Sequence, residues 1–338
     1  MKRAFKILVV LLVSVLACEG LIRLTGLYKT QSEKGNGNFV NPFKPQHQGW
    51  QYHHGTNQTA SMALPEFSFE HRYDSLGYRN DSSPDSAEVL AFGDSFTEGV
   101  GAPQDSTWPA LLQIKTGMQV YNAGVAGSDP GYYLISLKER FKQVHPKMVL
   151  VMLDYTDIYD ILIRGGMERF GADGSVHYKK VPWFMPLYQH AHTFRAFLHL
   201  ILGYDFMFNS PTSREKNISN ALQTIAEILV EMNQNCAERR IKFYTYIHPI
   251  PGEYYKRLES RTDFRRIDEL STLLNNKGVH CVNLRGDLER KLYTPELWRL
   301  VSWPLDGHFN RLGYDLIADI IATQGFPVNA DEVPVLIK

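Results

Sequence analysis

Residues 88–99 read Glu-Val-Leu-Ala-Phe-Gly-Asp-Ser-Phe-Thr-Glu-Gly. An apolar strand over 89–92 runs into Gly93-Asp94-Ser95, and a helix-compatible stretch follows. That order puts one hydroxyl, that of Ser95, on a tight turn at the carboxyl end of a buried strand, where ligands bind in open α/β sheets. Free backbone N–H groups and the positive end of a helix dipole stand beside such a residue. Gly, Asp and Ser are also ordinary turn formers, so the case for chemistry has to come from the rest of the chain.

Downstream, strands and helices alternate. Strands are predicted over 89–92, 119–123, 148–153, 241–247 and 279–284. Helices are predicted over 107–116, 132–144 and 264–274. A long helix is marked by Ile218, Leu222, Ile225, Leu229 and Met232 at 3.6-residue spacing. A last helix carries Leu312, Leu316, Ile317, Ile320 and Ile321, with Asn310 as its N-cap. Six apolar residues in a row at 148–153 fit a central parallel strand covered on both faces. The pattern predicts an α/β fold, a three-layer α-β-α sandwich around a five-stranded parallel sheet. Residues 160–213 break the rhythm. They hold a hairpin signal at Asp173-Gly174 and then a run of aromatics, as expected of a lid or binding loop. His190, His192 and His199 read as solvated histidines on that lid rather than as metal ligands.

The 338 residues carry 36 basic and 36 acidic side chains, so nothing points to nucleic acid or to disorder, and function must come from a site. The amino terminus is different. Lys2, Arg3 and Lys6 precede an uncharged apolar run over 7–18, which reads as an export signal or an anchor. Extension through Glu19 to Leu24 approaches the roughly 20 residues a bilayer requires. Three fates are open for residues 1–25: an uncleaved signal-anchor, a cleaved signal peptide, or lipidation at Cys18 within Val15-Leu16-Ala17-Cys18. Each places the body of the protein outside the cytoplasm. Residues 26–85 read as a linker, polar over 29–38, followed by an irregular extension rich in Pro, His, Gln and aromatics. Cys236 and Cys281 are either a disulfide or two buried thiols.

A serine nucleophile needs a base, and the base needs an orienting group. Near the carboxyl terminus, Asp306-Gly307-His308 precedes the last helix. In an extended segment, residues i and i+2 project to the same side, so the Asp306 carboxylate can hold one nitrogen of the His308 ring and leave the other free. An acyl-transfer site also needs donors for an oxyanion. Gly127, in Asn122-Ala123-Gly124-Val125-Ala126-Gly127 after the second strand, can offer a bare N–H. The third strand ends in Asp154-Tyr155-Thr156-Asp157. His248 falls at the same edge and reads as a turn residue, and Asp94 reads as a brace for the Ser95 turn.

In this order, the segments resemble the four motifs of the SGNH (GDSL-type) hydrolase family, over residues 88–323, and Asp74-Ser75-Leu76-Gly77-Tyr78-Arg79 resembles the lead-in of its membrane-anchored bacterial members. The resemblance implies a flavodoxin-like SGNH fold over 86–328, carrying the 160–213 insertion. It implies Ser95 as nucleophile, His308 and Asp306 as its partners, and Ser95, Gly127 and Thr156 around the oxyanion. Two departures stand out. Asp154 and Thr156 replace the family's Gly and Asn in the third motif, and losing one such donor costs roughly 3 kcal/mol, about a hundredfold in rate. The last motif is Asp-x-His rather than Asp-x-x-His. The implied activity is that of an extracytoplasmic serine esterase on a carboxylic ester, with acetylated carbohydrate as candidate substrate, the membrane as contact of the amino terminus, no nucleic acid, and no metal or organic cofactor. Two alternatives are O-acyl transfer to cell-surface polysaccharide and a catalytically impaired glycan-binding member. A lipoprotein scaffold acting through the aromatic insertion is a third.

Overall fold

The computed structural model describes residues 2–28, 54–81, 84–171, 176–177, 179–205, 208–255 and 262–323. The linker read over 29–38 and the Asp173-Gly174 turn lie outside them. Among the described residues, seven strands are formed: β1 (Gln58–Leu64), β2 (Phe67–Tyr73), β3 (Val89–Phe92), β4 (Val120–Asn122), β5 (Met148–Leu153), β6 (Lys242–Ile247) and β7 (Cys281–Asn283). The last five make one sheet in the order β4-β3-β5-β6-β7, and every neighbouring pair is parallel. Taken in chain order, this is the 2-1-3-4-5 doubly wound arrangement, with its switch point between β3 and β5.

Alternate residues of the central strands feed two separate cores. Leu90, Phe92, Val149, Val151 and Leu153 pack with the helices Pro130–Arg140, Tyr155–Arg164, Arg214–Ala237 and Thr262–Asn276. Val89, Ala91, Met148, Leu150 and Met152 pack with Trp108–Thr116, Arg285–Lys291, Pro295–Leu300 and Arg311–Thr323. A strand covered on both faces has no position for a polar side chain, which is why β5 reads as an unbroken apolar run. Asp129 caps the helix Pro130–Arg140 by accepting from the N–H groups of Gly131 and Tyr132. With Pro130 at the first turn, that helix starts two residues before the aromatic pattern suggests. Asn310 caps the last helix through Leu312 and Gly313. Cys236 and Cys281 are buried free thiols, not a disulfide.

The segment before the sheet is not irregular throughout. β1 and β2 form an antiparallel hairpin in register from Gln58↔Tyr73 to Leu64↔Phe67. β1 is mostly exposed, so it lacks the alternation that marks a half-buried strand. The hairpin and the turn after it hold the Ser95 region. Arg79, 2% exposed, donates to the carbonyls of Glu98, Gly99 and Ala102. Glu98 is fully buried. Its carboxylate accepts from Tyr73 Oη at 3.2 Å and from the Ala126 N–H at 2.6 Å, with His54 Nε2 3.2 Å and His71 Nδ1 3.5 Å away. Burial alone would raise this carboxyl, but the bonds to His54, His71 and Ala126 overcome it and hold it well below the usual carboxylate range.

Among the described residues, one helix, Lys2–Thr25, is long and apolar enough to cross a membrane, and none of its residues is buried. At 24 residues it spans about 36 Å, which fits a signal or a membrane anchor.

Glu98 supplies stability that is present above its ordinary pKa of 4.5 and is lost as pH falls below it. Glu98→Ala strands the groups that face it and is expected to lower unfolding free energy by about 3–5 kcal/mol, with a smaller loss for Glu98→Gln. Denaturant titration of the full chain in detergent, followed by tryptophan emission, reads both. A Glu98→Ala midpoint equal to that of the unaltered chain would show that this charge is not a structural tie.

Candidate active site

Ser95 opens the short helix Ser95–Glu98 directly after β3. The turn is tight because Gly93 has no side chain. A Cβ there would lie 2.0 Å from Thr97 Oγ1 and 3.0 Å from the Met152 carbonyl. Asp94 caps the helix by accepting from the Phe96 N–H at 2.9 Å, and its other oxygen lies 3.4 Å from Ser95 Oγ. The expected bracing role is therefore the one it fills.

His308 Nε2 lies 2.8 Å from Ser95 Oγ, across 213 residues of chain. On the far side of the ring, Nδ1 lies 2.5 Å from Asp306 Oδ2. The side-by-side placement of Asp306 and His308 does not come from an extended segment. Residues 304–306 form a turn, Gly307 sits at φ +103, and its N–H donates to the Trp303 carbonyl at 2.7 Å. Only glycine adopts that backbone easily, and the reversal folds the carboxylate back onto the ring. Glu66, at the tip of the amino-terminal hairpin, accepts from the N–H groups of Leu305 and Asp306, both at 2.8 Å.

The loop after β4 is stitched to the serine turn. The Val125 N–H donates to the Gly93 carbonyl at 3.1 Å, and Ser128 Oγ lies 3.3 Å from the same oxygen. Asn122 donates to the Thr97 carbonyl and accepts from the Gly124 N–H. A Cβ on Gly124 would meet the Glu98 backbone nitrogen at 2.4 Å. Gly127 is the exposed apex of this loop, at φ +74. Asp129, just beyond it, is gripped by Arg169 at 2.7 Å and Arg164 at 3.4 Å.

Thr156 is differently engaged. Its hydroxyl donates to Asp154 Oδ1 at 2.6 Å, and its N–H donates to the same oxygen. Asp154 and Asp157 form a capping box at the start of the helix Tyr155–Arg164. Thr156 thus has its one hydroxyl hydrogen committed to the cap rather than directed toward Ser95. Asp154 Oδ2 is buried without a protein partner among the described residues.

Burial would lower the pKa of His308, but the bond to Asp306 and its charge, with Asp94 and Asp154 behind them, raise it above the ordinary 6.5. Burial holds the carboxyls of Asp94, Asp154 and Asp157 above the usual range, with repulsion from Asp154 adding to it at Asp94 and Asp157 and from Asp160 at Asp154. His248 is wholly buried, and burial pushes it down to about 4. Its ring meets Phe96 edge-on at 4.6 Å, and Phe96 in turn lies 4.6 Å from the His308 ring. His248 therefore backs the site as a neutral packing group.

The histidines of the insertion are not solvated as a set. His192 is 5% exposed, and His199 lies against Tyr188 Oη and the Tyr204 carbonyl. Of His190, His192 and His199, only His190 is exposed.

Glu66, Arg79 and Glu98 are the participants that sequence reasoning missed. Arg79 lay within a quoted motif, but nothing local signals that a lone Glu66 caps a loop 240 residues away.

Residues 91–316 match the GDSL-like Lipase/Acylhydrolase family, about two thirds of the chain. No curated protein sequence matches it. Among solved structures, the psychrotrophic esterase EstA from Pseudoalteromonas sp. is 15% identical, covering 70% of this chain and 94% of its own at a TM-score of 0.40. An acetylxylan esterase from Geobacillus stearothermophilus is also 15% identical, covering 71% and 96% at 0.39. With its motifs in family order on a doubly wound sheet, the chain belongs to the GDSL-like lipase/acylhydrolase family of ester-hydrolysing enzymes.

Proposed function

We propose that this protein is a membrane-anchored serine esterase whose catalytic domain lies outside the cytoplasm, with Ser95, His308 and Asp306 as its triad. The reading is carried by one observation, the line from Ser95 Oγ through the His308 ring to Asp306. Asp306 holds the proton on Nδ1, which leaves Nε2 as the acceptor for the serine proton. Ser95 Oγ then attacks the ester carbonyl, and the protonated ring returns its proton to the leaving alcohol. Water, deprotonated by the same nitrogen, releases the acid. A sugar hydroxyl in place of water would make the second step O-acyl transfer. An address outside the cytoplasm favours an acetyl ester on cell-surface carbohydrate.

For the oxyanion we propose the N–H groups of Ser95 and Gly127 as donors, with Thr156 contributing only after its hydroxyl leaves Asp154. The commitment of Thr156 to Asp154 also favours a second reading, a slow or non-catalytic member that binds its glycan without turning it over.

Three outcomes are expected. Wild-type protein takes a fluorophosphonate label and hydrolyses p-nitrophenyl acetate, while Ser95→Ala loses the label and at least about 10⁴-fold in kcat. Labelling that survives the substitution would remove Ser95 as nucleophile, and absence of all turnover would select the glycan-binding reading. The base must be neutral to act, and its pKa is raised, so kcat/KM should fall with acid through a limb above pH 6.5. Asp306→Asn should move that limb down and cost about 10⁴ in kcat; an unmoved limb would assign it to another group. Thr156→Asn should raise kcat by roughly tenfold to a hundredfold, the size of one restored donor, and an unchanged rate would show that position 156 does not reach the oxyanion.

A further inference from the structure

The insertion carries an apolar face whose position relative to the amino-terminal helix is fixed by direct bonds. In residues 181–202 there is no Asp, Glu or Lys, and the only Arg, Arg195, is 1% exposed. Outside the amino-terminal helix, seven of the thirteen large apolar residues left exposed in the described structure fall within this stretch. They include Trp183 at 84%, Ile201 at 71% and Leu200 at 67%. The rest are Leu27, just past that helix, and five single residues at separate positions of the domain, as is normal for a protein surface.

The segment is held with this face outward. Met185, Tyr188 and Leu198 turn inward to form a small core with Ile163. Along the helical run from His192 to Ile201, His192, Arg195 and Leu198 are buried, while Phe197, Leu200 and Ile201 are exposed. That is the pattern of an amphipathic helix with its polar and charged groups facing the protein and its apolar stripe facing out. Water does not favour such an arrangement.

The end of the amino-terminal helix docks on the same segment. The Glu19 carboxylate accepts from the N–H groups of His192 and Thr193 at 3.0 and 2.8 Å, and from Thr193 Oγ1 at 2.6 Å. It thereby caps the helix that begins at His192. Arg23 donates to the His190 carbonyl, and His192 Nδ1 lies 3.1 Å from the Leu27 carbonyl. A carboxylate satisfied in this way marks the depth at which the apolar helix leaves hydrocarbon. Side chains level with it meet the boundary between acyl chains and headgroups, where tryptophan concentrates. Just before the stretch, Lys180 is exposed and carries a charge of the sign that lipid phosphates attract, while the Lys179 ammonium donates to the Leu162 carbonyl at 3.2 Å.

We propose that residues 181–202 form an interfacial docking surface for the lipid bilayer, on which Trp183, Leu187, Phe197, Leu200, Ile201 and Leu202 enter the leaflet beside the emerging anchor. This rests on the reading of Lys2–Thr25 as an anchor and adds a second contact with the same membrane.

The test uses the full chain reconstituted in phosphatidylcholine–phosphatidylglycerol vesicles, some carrying acyl chains brominated near the headgroup. Tryptophan emission of the unaltered chain should be quenched by the brominated lipid, and the quenching should drop in Trp183→Phe, because among the other described tryptophans Trp108 and Trp298 are buried and Trp303 is half-buried with its N–H on the Gly101 carbonyl. The double substitution Leu200→Glu/Ile201→Glu should show the same loss while still floating with the vesicles and still hydrolysing a soluble ester at the unaltered rate. Protein that floats and resists alkaline extraction, yet shows no Trp183 quenching, would overturn the docking surface and leave the anchor standing. Trp183 shielded only as the chain self-associates would also overturn it, by making a second copy the occupant. Protein that fails to float would remove anchor and docking surface together.

Discussion

A carboxylate with no access to water must be satisfied by the protein around it, and the arrangement of this molecule follows from how Glu98 is satisfied. Its partners come from three places: the end of β2, His54 ahead of that hairpin, and the loop after β4. Glu98 itself ends the helix that Ser95 begins. One buried charge therefore locks the serine turn to the neighbouring loop and to the amino-terminal hairpin. Because an unpaired buried charge is so costly, these three parts cannot be displaced independently. Arg79 adds a second tie by closing the carbonyls that follow the serine helix.

The two replacements in the third motif, Asp154 and Thr156, are best understood as one change. An aspartate at position 154 can cap a helix, and a carboxylate in that place draws any nearby donor. Thr156 supplies two, its N–H and its hydroxyl. An asparagine amide reaching elsewhere would leave part of that cap unmet. Cap and oxyanion donor compete for the same side chain, and here the cap holds it. On the proposed reading of the site, the helix start gains order at the expense of a donor for the oxyanion.

The sheet was legible because its signals are local and strong. Six apolar residues at β5 and the 3.6-residue spacing along Arg214–Ala237 leave few alternatives. The juxtaposition of Ser95, Asp306 and His308 was legible for a different reason: strand ends on one side of a doubly wound sheet share a rim. The geometry that joins Asp306 to His308 was read wrongly, because spacing alone does not distinguish an extended pair from a turn through a glycine at positive φ. The β1–β2 hairpin escaped notice because β1 is exposed and lacks alternation. Glu66 and Glu98 were illegible in principle, since a buried or bridging carboxylate looks the same in sequence as a solvated one. Their roles exist only through contacts made far along the chain.

Those distant contacts have a consequence for how the molecule is made. Glu66 leaves the ribosome some 240 residues ahead of the backbone it will hold, and Ser95 precedes its imidazole partner by 213. At typical bacterial-to-eukaryotic synthesis speeds, that interval lasts on the order of 10–40 s. Throughout it, the hairpin tip and the serine turn exist without the loop that completes them. On the proposed triad, a nascent chain cannot act on an ester until residue 308 has been synthesised, so shorter chains stay inert.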